Sequence, residues 1–174
     1  AGIAFVGPTP EQLRVFGDKH TAREAAREVG VPLVAGSGLL DSVDDALVAA
    51  DTIGYPVMLR AVGGGGGIGM QACASADELR EAYERVQRLA ATNFSSSGVF
   101  LERFVAHARH IEVQVFGDGR GRTVSLGTRD CSLQRRNQKV VEEAPAPDLP
   151  DAIVEQVLES ARALASSVDY RSAG

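Results

Sequence analysis

Residues 55–73, YPVMLRAVGGGGGIGMQAC, place five consecutive glycines between two apolar segments. The residues before the glycines predict one β-strand, and residues 69–73 predict a second. Two strands joined by bare backbone form a hairpin whose loop can fold over a ligand. Because glycine has no Cβ, its N–H groups can approach phosphate oxygens closely. The stretch therefore favours a loop that covers a phosphate, with a flexible linker as the alternative.

The glycines do not match the two commonest phosphate-binding fingerprints. A Walker A loop requires Gly-Lys-Ser/Thr at the start of a helix, whereas Gly69 is followed by Met70. A dinucleotide fingerprint also requires a helix directly after the glycines. A linker is usually a Gly/Ser mixture between domains, and this run lies between predicted strands. The loop therefore indicates another class of nucleotide-binding fold.

Composition excludes several functional classes. The 174 residues are 44% hydrophobic and 24% charged, as in globular proteins, and the net charge of −5 argues against a broad nucleic-acid surface. Cys73 and Cys131 have no CxxC spacing, so neither a disulfide framework nor a zinc site is expected, and a reducing cytoplasm is the predicted compartment. No signal peptide or membrane span is expected, because no apolar run approaches the ~18 residues that a span requires. The missing initiator Met and the stop after a helix favour a fragment.

The remaining patterns predict alternating helices and strands. Gly30 is suited to end a helix, and Ser75 with Glu78 forms a capping box that predicts the start of another. Helices are expected at 9–17, 19–30, 41–54, 75–94 and 151–168, with Asp18 as the N-cap of the second. Strands are expected at 3–6, 32–34, 55–60, 69–73 and 98–105, and a hairpin at 110–130. The predicted class is therefore mixed α/β.

A second candidate site lies in QRRNQK, residues 134–139. Gln134, Arg135, Arg136 and Lys139 concentrate cationic and amide donors, which an anion such as bicarbonate or phosphate needs. A solvated basic patch is the alternative interpretation.

Four segments carry a resemblance to a known family. They are GDKHTAREAAREVGVP (17–32), GYPVMLRAVGGGGGIGM (54–70), VFLERFVAHARHIEVQVFGDGRG (99–121) and RDCSLQRRNQKVVEEAPAP (129–147). In order and spacing they resemble the biotin carboxylase branch of the ATP-grasp superfamily, over nearly the whole chain. Ile68, where acyl-CoA and pyruvate carboxylases usually carry Arg, and the segment FVGPTPEQLRVFGDKHTARE (5–24) are most similar to urea carboxylases.

The resemblance implies an incomplete ATP-grasp fold of the α/β (α+β) class. Residues 1–33 would be the end of an N-terminal domain and its link, 34–102 the lid subdomain, and 103–174 the first part of the C-terminal half. In the family, ATP lies between two antiparallel sheets. The implied enzyme is a ligase that uses ATP, Mg²⁺ and bicarbonate to carboxylate biotin on a biotin carboxyl carrier domain, with urea as the expected final acceptor.

The same resemblance leaves alternatives open. The chain could belong to the biotin carboxylase subunit of an acyl-CoA or pyruvate carboxylase, or to a non-catalytic nucleotide-binding module. No membrane or nucleic-acid partner is implied, and a homo-oligomer of the full-length enzyme is compatible with it. The family's acidic metal ligands and catalytic Glu are expected beyond residue 174, so no metal ligand is assigned and the chain alone is expected to be inactive.

Nucleotide-binding positions follow from the resemblance. Lys19 would reach the phosphates, and Arg60 stands where the family usually carries a Lys that contacts the α-phosphate. Arg keeps the charge but is longer and forked, so this replacement is not neutral. Glu102 would accept the adenine amino group. The remaining implied positions are Gly66 and Gly67 over the phosphates, the backbone of Arg103, Phe104 and Val105 at the adenine, and His110 beside the ribose.

The QRRNQK segment supplies the other implied site residues. Lys139 would help to hold bicarbonate, and Gln134 and Asn137 would lie near the nucleotide, where many biotin carboxylases have His at position 137. Arg136 and Lys139 are the two catalytic candidates, and Lys139 is also expected among the ligand-binding residues. Glu142 and Glu143 are expected only to balance the basic charges.

Overall fold

The structure is a computed structural model that describes residues 2–3, 5–63, 68–93, 98–136 and 138–174. It contains helices α1 (Pro10–Gly17), α2 (Lys19–Glu28), α3 (Val43–Ile53), α4 (Ala76–Asn93) and α5 (Asp151–Ser167). Its strands are β1 (Val57–Ala61), β2 (Met70–Cys73), β3 (Val99–Arg103), β4 (Ile111–Asp118), β5 (Thr123–Asp130), β6 (Gln134–Arg135), β7 (Gln138–Lys139) and β8 (Arg171–Ala173). The mixed α/β class predicted from the sequence is confirmed. No described helix is both long and apolar enough to cross a lipid bilayer.

The chain divides into two compact units. The middle unit comprises Asp18–His20 and Val34–His107, and the flanking unit comprises Ala1–Gly17, Thr21–Leu33 and Ala108–Gly174. The three-part division at residues 33 and 102 remains a prediction.

The middle unit is a three-stranded antiparallel sheet, ordered β2-β1-β3, with α3 and α4 packed on one face. Alternate residues of β1 are buried, so Val57, Leu59 and Ala61 face the helices. Leu79 and Val86 of α4 complete this core, as their helical spacing predicts. The other face of the sheet therefore carries the intervening positions of each strand.

Local capping explains where the helices of the middle unit begin and end. Ser42 Oγ accepts from the N–H of Asp45 at 3.1 Å, and Gly54 ends α3 with a φ of 85°. At α4, Ser75 Oγ accepts from Glu78 N at 3.3 Å. The Glu78 carboxylate accepts from Ala74 N at 2.8 Å, so the predicted capping box closes on the residue before Ser75.

The flanking unit is built on a sheet ordered β5-β4-β8, with α5 packed on β4 and β5. The buried side chain of Gln12 joins α1 to the segment after α5. Its Nε2 donates to the carbonyls of Val168 at 3.1 Å and Asp169 at 2.7 Å. Its Oε1 accepts from Thr9 N at 2.9 Å and from Arg171 N at 3.3 Å. All polar atoms of this amide are therefore used in holding the unit together.

Two predicted strands are wrong. Ile3, Phe5 and Val6 are exposed and belong to no strand, because no described strand lies beside them to pair with their backbone. Residues 32–34 are not a strand either, and the chain instead makes isolated bridges from Gly36 and Leu40 to β3. The strands β6, β7 and β8 were not predicted, since two or three residues are too short to show an alternating pattern.

Candidate functional site

The face of the middle-unit sheet opposite to α3 and α4 carries an ion pair between Arg60 and Glu102. The register places Arg60 opposite Phe100 and Met58 opposite Glu102, so the two charged residues are diagonal neighbours on one face. Arg60 Nη1 donates to Glu102 Oε2 at 2.7 Å. Their side chains are only 19% and 16% exposed, so this pair is weakly screened. The β1 and β3 register alone brings these two predicted site residues together.

Lys19 adds a second cation to this site, which we call the sheet-face cluster (Lys19, Arg60 and Glu102). Burial lowers the pKa of Lys19, the neighbouring Arg60 lowers it further, and Glu102 opposes the change. The Nε–H of Arg60 is buried and has no hydrogen-bond partner within the described residues. Such a donor is costly to leave unpaired. Two cations against one carboxylate, with one donor unused, suit an anionic ligand such as a phosphate.

Apolar side chains on the same face were missed from the sequence. Met70 lies opposite Arg60 on β2, and Met58 and Phe100 occupy alternating positions of β1 and β3. Phe100 is 1% exposed, so Met58 and Met70 are the partly exposed apolar side chains of this face. Apolar side chains beside a carboxylate acceptor suit a flat heteroaromatic ring with an amino group. The period-two alternation of the strands could have identified these positions.

Part of the backbone that is predicted to contact adenine already makes hydrogen bonds within the protein. Arg103 N donates to Ala35 O at 2.8 Å, and Phe104 N donates to Pro56 O at 3.0 Å. The side chain of Arg103 donates to Ile53 O at 3.1 Å, which ties β3 to the end of α3. Among the described residues the Val105 N–H has no such acceptor. Of the three backbone donors, Val105 is therefore the one that remains for a ligand.

The flanking unit contains a second polar site, which we call the hairpin cluster. Glu112 of β4 lies directly opposite Arg129 of β5. The β6–β7 hairpin pairs Gln134 with Lys139 and brings both to the same end of this sheet. The members of the hairpin cluster are His110, Glu112, Arg129, Gln134, Lys139 and Glu142.

Glu112 is the centre of the hairpin cluster and was not predicted from the sequence. Its Oε1 contacts Lys139 Nζ, and its Oε2 accepts from Arg129 Nη2 at 3.1 Å. Glu142 lies 3.5 Å from Lys139 Nζ and accepts from Arg129 Nη1 at 2.9 Å. Two carboxylates thus hold two cations in fixed positions.

These contacts set the charge states in the cluster. The hydrogen bond to Glu112 raises the pKa of Lys139, against the opposing effect of burial. Burial would raise the pKa of Glu112, but the hydrogen bond and charge of Lys139 outweigh it, and that pKa is lowered. Lys139 is therefore an oriented ammonium at neutral pH. An ammonium has three N–H donors. Glu112 accepts a hydrogen bond from this ammonium, and Glu142 at 3.5 Å is an ion-pair partner.

His110 and Gln134, both predicted site residues, contact each other directly. Gln134 Nε2 lies 2.8 Å from His110 Nδ1 and donates to the carbonyl of Cys131 at 2.9 Å. His110 Nε2 lies 3.2 Å from Glu112 Oε1. The backbone N–H of His110 donates to Ser132 Oγ at 2.8 Å, which fixes the imidazole beside the hairpin.

Arg136 is not joined to the other hairpin residues by its side chain. It follows β6 directly and has a φ of 51°, the left-handed conformation found in tight turns. Its side chain is exposed and has no hydrogen bond or ion pair to any residue that the structure describes. Gly66, Gly67 and Asn137 lie outside the described residues.

The described residues contain one group with metal-binding geometry, and its chemistry does not suit a metal. Ligand atoms of Glu112, Cys131 and Glu142 lie within 4.8 Å of one another. Lys139 and Arg129 already neutralise both carboxylates, and burial raises the pKa of the Cys131 thiol, so it stays protonated. Mg²⁺ prefers oxygen ligands and retained waters. The described residues therefore do not fit the Mg²⁺ that the resemblance implies.

Comparisons with known proteins show similarity to ATP-binding domains and to biotin-dependent carboxylases. The family model of the carbamoyl-phosphate synthase L chain, ATP binding domain, matches residues 18–174. The urea amidolyase of Lachancea kluyveri is 50% identical over 99% of this chain and 10% of its own length. A putative urea carboxylase of Emericella nidulans is 49% identical over 100% of this chain and 14% of its own length. The biotin carboxylase of Nostoc sp. is 46% identical over 99% of this chain and 39% of its own length.

Solved structures of biotin carboxylases are also similar to this chain. The biotin carboxylase–β,γ-ATP complex from Campylobacter jejuni has a TM-score of 0.92 and 39% identity, covering 98% of this chain and 39% of that one. The biotin carboxylase domain dimer of Hydrogenobacter thermophilus 2-oxoglutarate carboxylase, in complex with MgADP, ADP and bicarbonate, has a TM-score of 0.91 and 41% identity, covering 99% and 38%. The chain thus spans between 10% and 39% of the length of these relatives.

Proposed function

The chain belongs to the family of the carbamoyl-phosphate synthase L chain ATP-binding domain, and from that premise we propose that it is the nucleotide- and bicarbonate-binding part of a biotin-dependent carboxylase. The reaction class is an ATP-dependent ligase in which ATP supplies the phosphoryl group that activates bicarbonate for biotin carboxylation. Urea is the proposed final acceptor, because urea amidolyase and urea carboxylase relatives reach 50% and 49% identity.

The observation that carries the proposal is the sheet-face cluster. Glu102 is a hydrogen-bond acceptor held by Arg60 beside apolar side chains, which suits an adenine ring with its amino group directed at the carboxylate. The unpartnered Nε–H of Arg60 and the ammonium of Lys19 are the proposed donors to the phosphates. Val105 N–H is the proposed backbone donor to the ring. Gly66 and Gly67 remain proposed phosphate-covering residues, and Asn137 a proposed residue near the nucleotide.

The hairpin cluster is the proposed bicarbonate site. Lys139 is held by ion pairs with Glu112 and Glu142, and its ammonium has N–H donors left for an anion. His110 and Gln134 are proposed to lie beside the nucleotide, as expected from the sequence. Arg136, exposed at the tip of the hairpin, stays a weaker catalytic candidate because its side chain has no partner among the described residues.

The proposed partners are those of the whole enzyme. They are ATP with Mg²⁺, bicarbonate and a biotin carboxyl carrier domain. A homo-oligomer is proposed because the related 2-oxoglutarate carboxylase domain is described as a dimer. The cytoplasm is the proposed compartment, in agreement with two buried free cysteines.

Nucleotide titration of the full-length protein tests the proposal. Glu102→Ala should weaken ADP binding by about tenfold or more, because a hydrogen bond to a charged group contributes about 1.5 to 3 kcal/mol. Glu84→Ala is the matched control, since Glu84 is an exposed residue of α4 in the same unit. Equal ADP affinity of wild type and Glu102→Ala would contradict the proposed adenine site.

One observation favours a second candidate acceptor. The Nostoc biotin carboxylase is 46% identical, close to the urea-specific relatives. The related Hydrogenobacter thermophilus domain belongs to a 2-oxoglutarate carboxylase, so a 2-oxo acid is the second candidate acceptor, with an acyl-CoA as the other alternative. Carboxylation assays of the full-length protein with urea, an acyl-CoA and a 2-oxo acid, each with ATP and ¹⁴C-bicarbonate, distinguish these acceptors.

A further inference from the structure

The amide orientation of Gln134 follows from its contact with a backbone carbonyl. One amide atom lies 2.9 Å from the oxygen of Cys131, and a carbonyl oxygen can only accept. The amide atom at this position must therefore be the NH₂ group, because the reversed amide would place two oxygens against each other.

This orientation determines the protonation of the His110 ring. The same NH₂ group lies 2.8 Å from His110 Nδ1, so Nδ1 must accept a hydrogen bond and carries no proton. A neutral imidazole then bears its proton on Nε2. Nε2 lies 3.2 Å from Glu112 Oε1, so this N–H is directed to a carboxylate oxygen. Both ring nitrogens thus have chemically matched neighbours only in the neutral Nε2–H tautomer.

The charge of His110 matters because its ring shares an oxygen with Lys139. His110 Nε2 and Lys139 Nζ both contact Oε1 of Glu112. An imidazolium would place a second full positive charge on that oxygen and would turn an N–H of Nδ1 against the Gln134 amide. Among the described residues, the other charged groups of this site are Arg129, on the second oxygen of Glu112, and Glu142, which binds Arg129 and Lys139.

We propose that Gln134 is a positioning residue that holds His110 as the neutral Nε2–H tautomer and so keeps Glu112 available to orient Lys139. The tautomer is independent of the enzyme's reaction, whereas its consequence for bicarbonate binding at Lys139 rests on the proposed function.

Side-chain ¹⁵N NMR of the full-length protein with ¹⁵N-labelled histidine tests the tautomer directly. His110→Asn assigns the signals, and wild type should show an unprotonated Nδ1 and a protonated Nε2 at neutral pH. In Gln134→Glu the carboxylate can only accept, so Nδ1 should gain a proton. The pH at which the His110 signals titrate should then rise by about 1 to 3 units, as expected for a new opposite charge in contact.

Arg135→Gln is the matched control, because it makes the same change in net charge one residue away on the same strand. Its side chain is exposed, so the His110 titration should move much less. Gln134→Met removes both hydrogen bonds without adding charge and should give a mixture of tautomers, which provides a second test if Gln134→Glu folds poorly. A protonated Nδ1 in wild type, or a Gln134→Met spectrum identical to wild type, would overturn the proposal.

Bicarbonate kinetics separate this proposal from the proposed function. If both hold, Gln134→Glu should raise the KM for bicarbonate more than the KM for ATP. If the NMR shifts occur as expected while bicarbonate has no effect on ATP hydrolysis even in wild type, the tautomer stands and the proposed function fails.

Discussion

At the residue scale, Arg60 and Lys139 each make an ion pair that was not predicted from the sequence. Arg60 Nη1 donates to Glu102 at 2.7 Å, and Nε of the same guanidinium is a proposed donor to phosphate. One side chain thus joins Glu102 to the proposed phosphate position. Lys139 is held by Glu112, a residue whose importance is visible only from its contacts. Each of these residues therefore depends on a partner from another strand.

Lys139→Ala in the full-length enzyme should strongly reduce bicarbonate-dependent turnover. Removing a donor to a developing anion typically costs about 2.7 to 4 kcal/mol, or about 100- to 1,000-fold in kcat. Nucleotide affinity should change much less, because the proposed adenine and phosphate contacts are made by the sheet-face cluster. Steady-state kinetics at low bicarbonate check this, with Arg122→Ala, an exposed residue of the same unit, as the control. Normal turnover of Lys139→Ala would refute the assignment.

Arg60→Lys should leave carboxylase activity equal or higher, because it restores the compact ammonium usual in the family. Lysine can still reach a carboxylate or a phosphate as a point charge. The measurement is kcat and the KM for ATP in the full-length enzyme. Complete loss of activity would instead show that the forked contact with Glu102 is a specific adaptation.

Asp130 should stabilise the flanking unit in a pH-dependent way. Hydrogen bonds from Ser132, followed by those from Arg109, lower the pKa of this carboxyl from 3.8 to about 2. A depressed pKa means that the stabilisation is complete well above pH 4 and is lost as the pH falls towards 2. Urea unfolding of wild type and Asp130→Asn should therefore show a stability difference at pH 6 that narrows at pH 2.5. A constant difference would contradict this role.

At the element scale, the pairing of β4 with β8 depends on a single glycine. A Cβ at Gly117 would clash with the carbonyl oxygen of Tyr170, so only glycine fits at this position of β4. The β6–β7 hairpin is fixed differently, by the bridge between Asp130 and Glu143 at its base. The β4–β8 pairing and the position of the β6–β7 hairpin therefore depend on backbone contacts rather than on a pattern of side chains.

Gly117→Ala should destabilise the flanking unit by about 1 to 3 kcal/mol or more, as overpacking against backbone does. Gly17→Ala is the matched control, because a Cβ there meets nothing within 4 Å at the end of α1. The control should change the free energy of unfolding by less than about 1 kcal/mol. Denaturant unfolding of both variants measures the difference, and equal stabilities would contradict the close approach of Gly117 and Tyr170.

At the scale of the whole molecule, the described residues contain the proposed adenine-side and bicarbonate-side groups but no metal site that fits Mg²⁺. The 174-residue chain by itself should therefore bind ATP and ADP weakly, with little dependence on Mg²⁺, and show no bicarbonate-dependent hydrolysis. Isothermal titration with and without Mg²⁺ checks this. Strong tightening by Mg²⁺ would mean that the chain holds metal ligands which its described residues do not show.

Much of the fold was predictable because its patterns are local. The spacing of Leu79 and Val86 predicted α4, and the apolar run before the glycines predicted β1. The ATP-grasp fold expected from the four motifs is confirmed by a TM-score of 0.92 at 39% identity to a biotin carboxylase. The wrong strands at 3–6 and 32–34 were short apolar segments, for which strand formation depends on a pairing partner that local sequence does not reveal.

The amino-acid sequence was enough to predict the order of the main elements from local periodicity, and the family and the candidate site residues from the resemblance of four segments. The folded chain was needed to show that Arg60 meets Glu102, that Glu112 holds Lys139, and that Gln134 and Glu112 lie on opposite sides of His110. Strand register brings Arg60 to Glu102, whereas Glu112 and Lys139 lie on strands of two different sheets. A hydrogen bond or ion pair depends on distance in space, and that distance is a property of the folded chain.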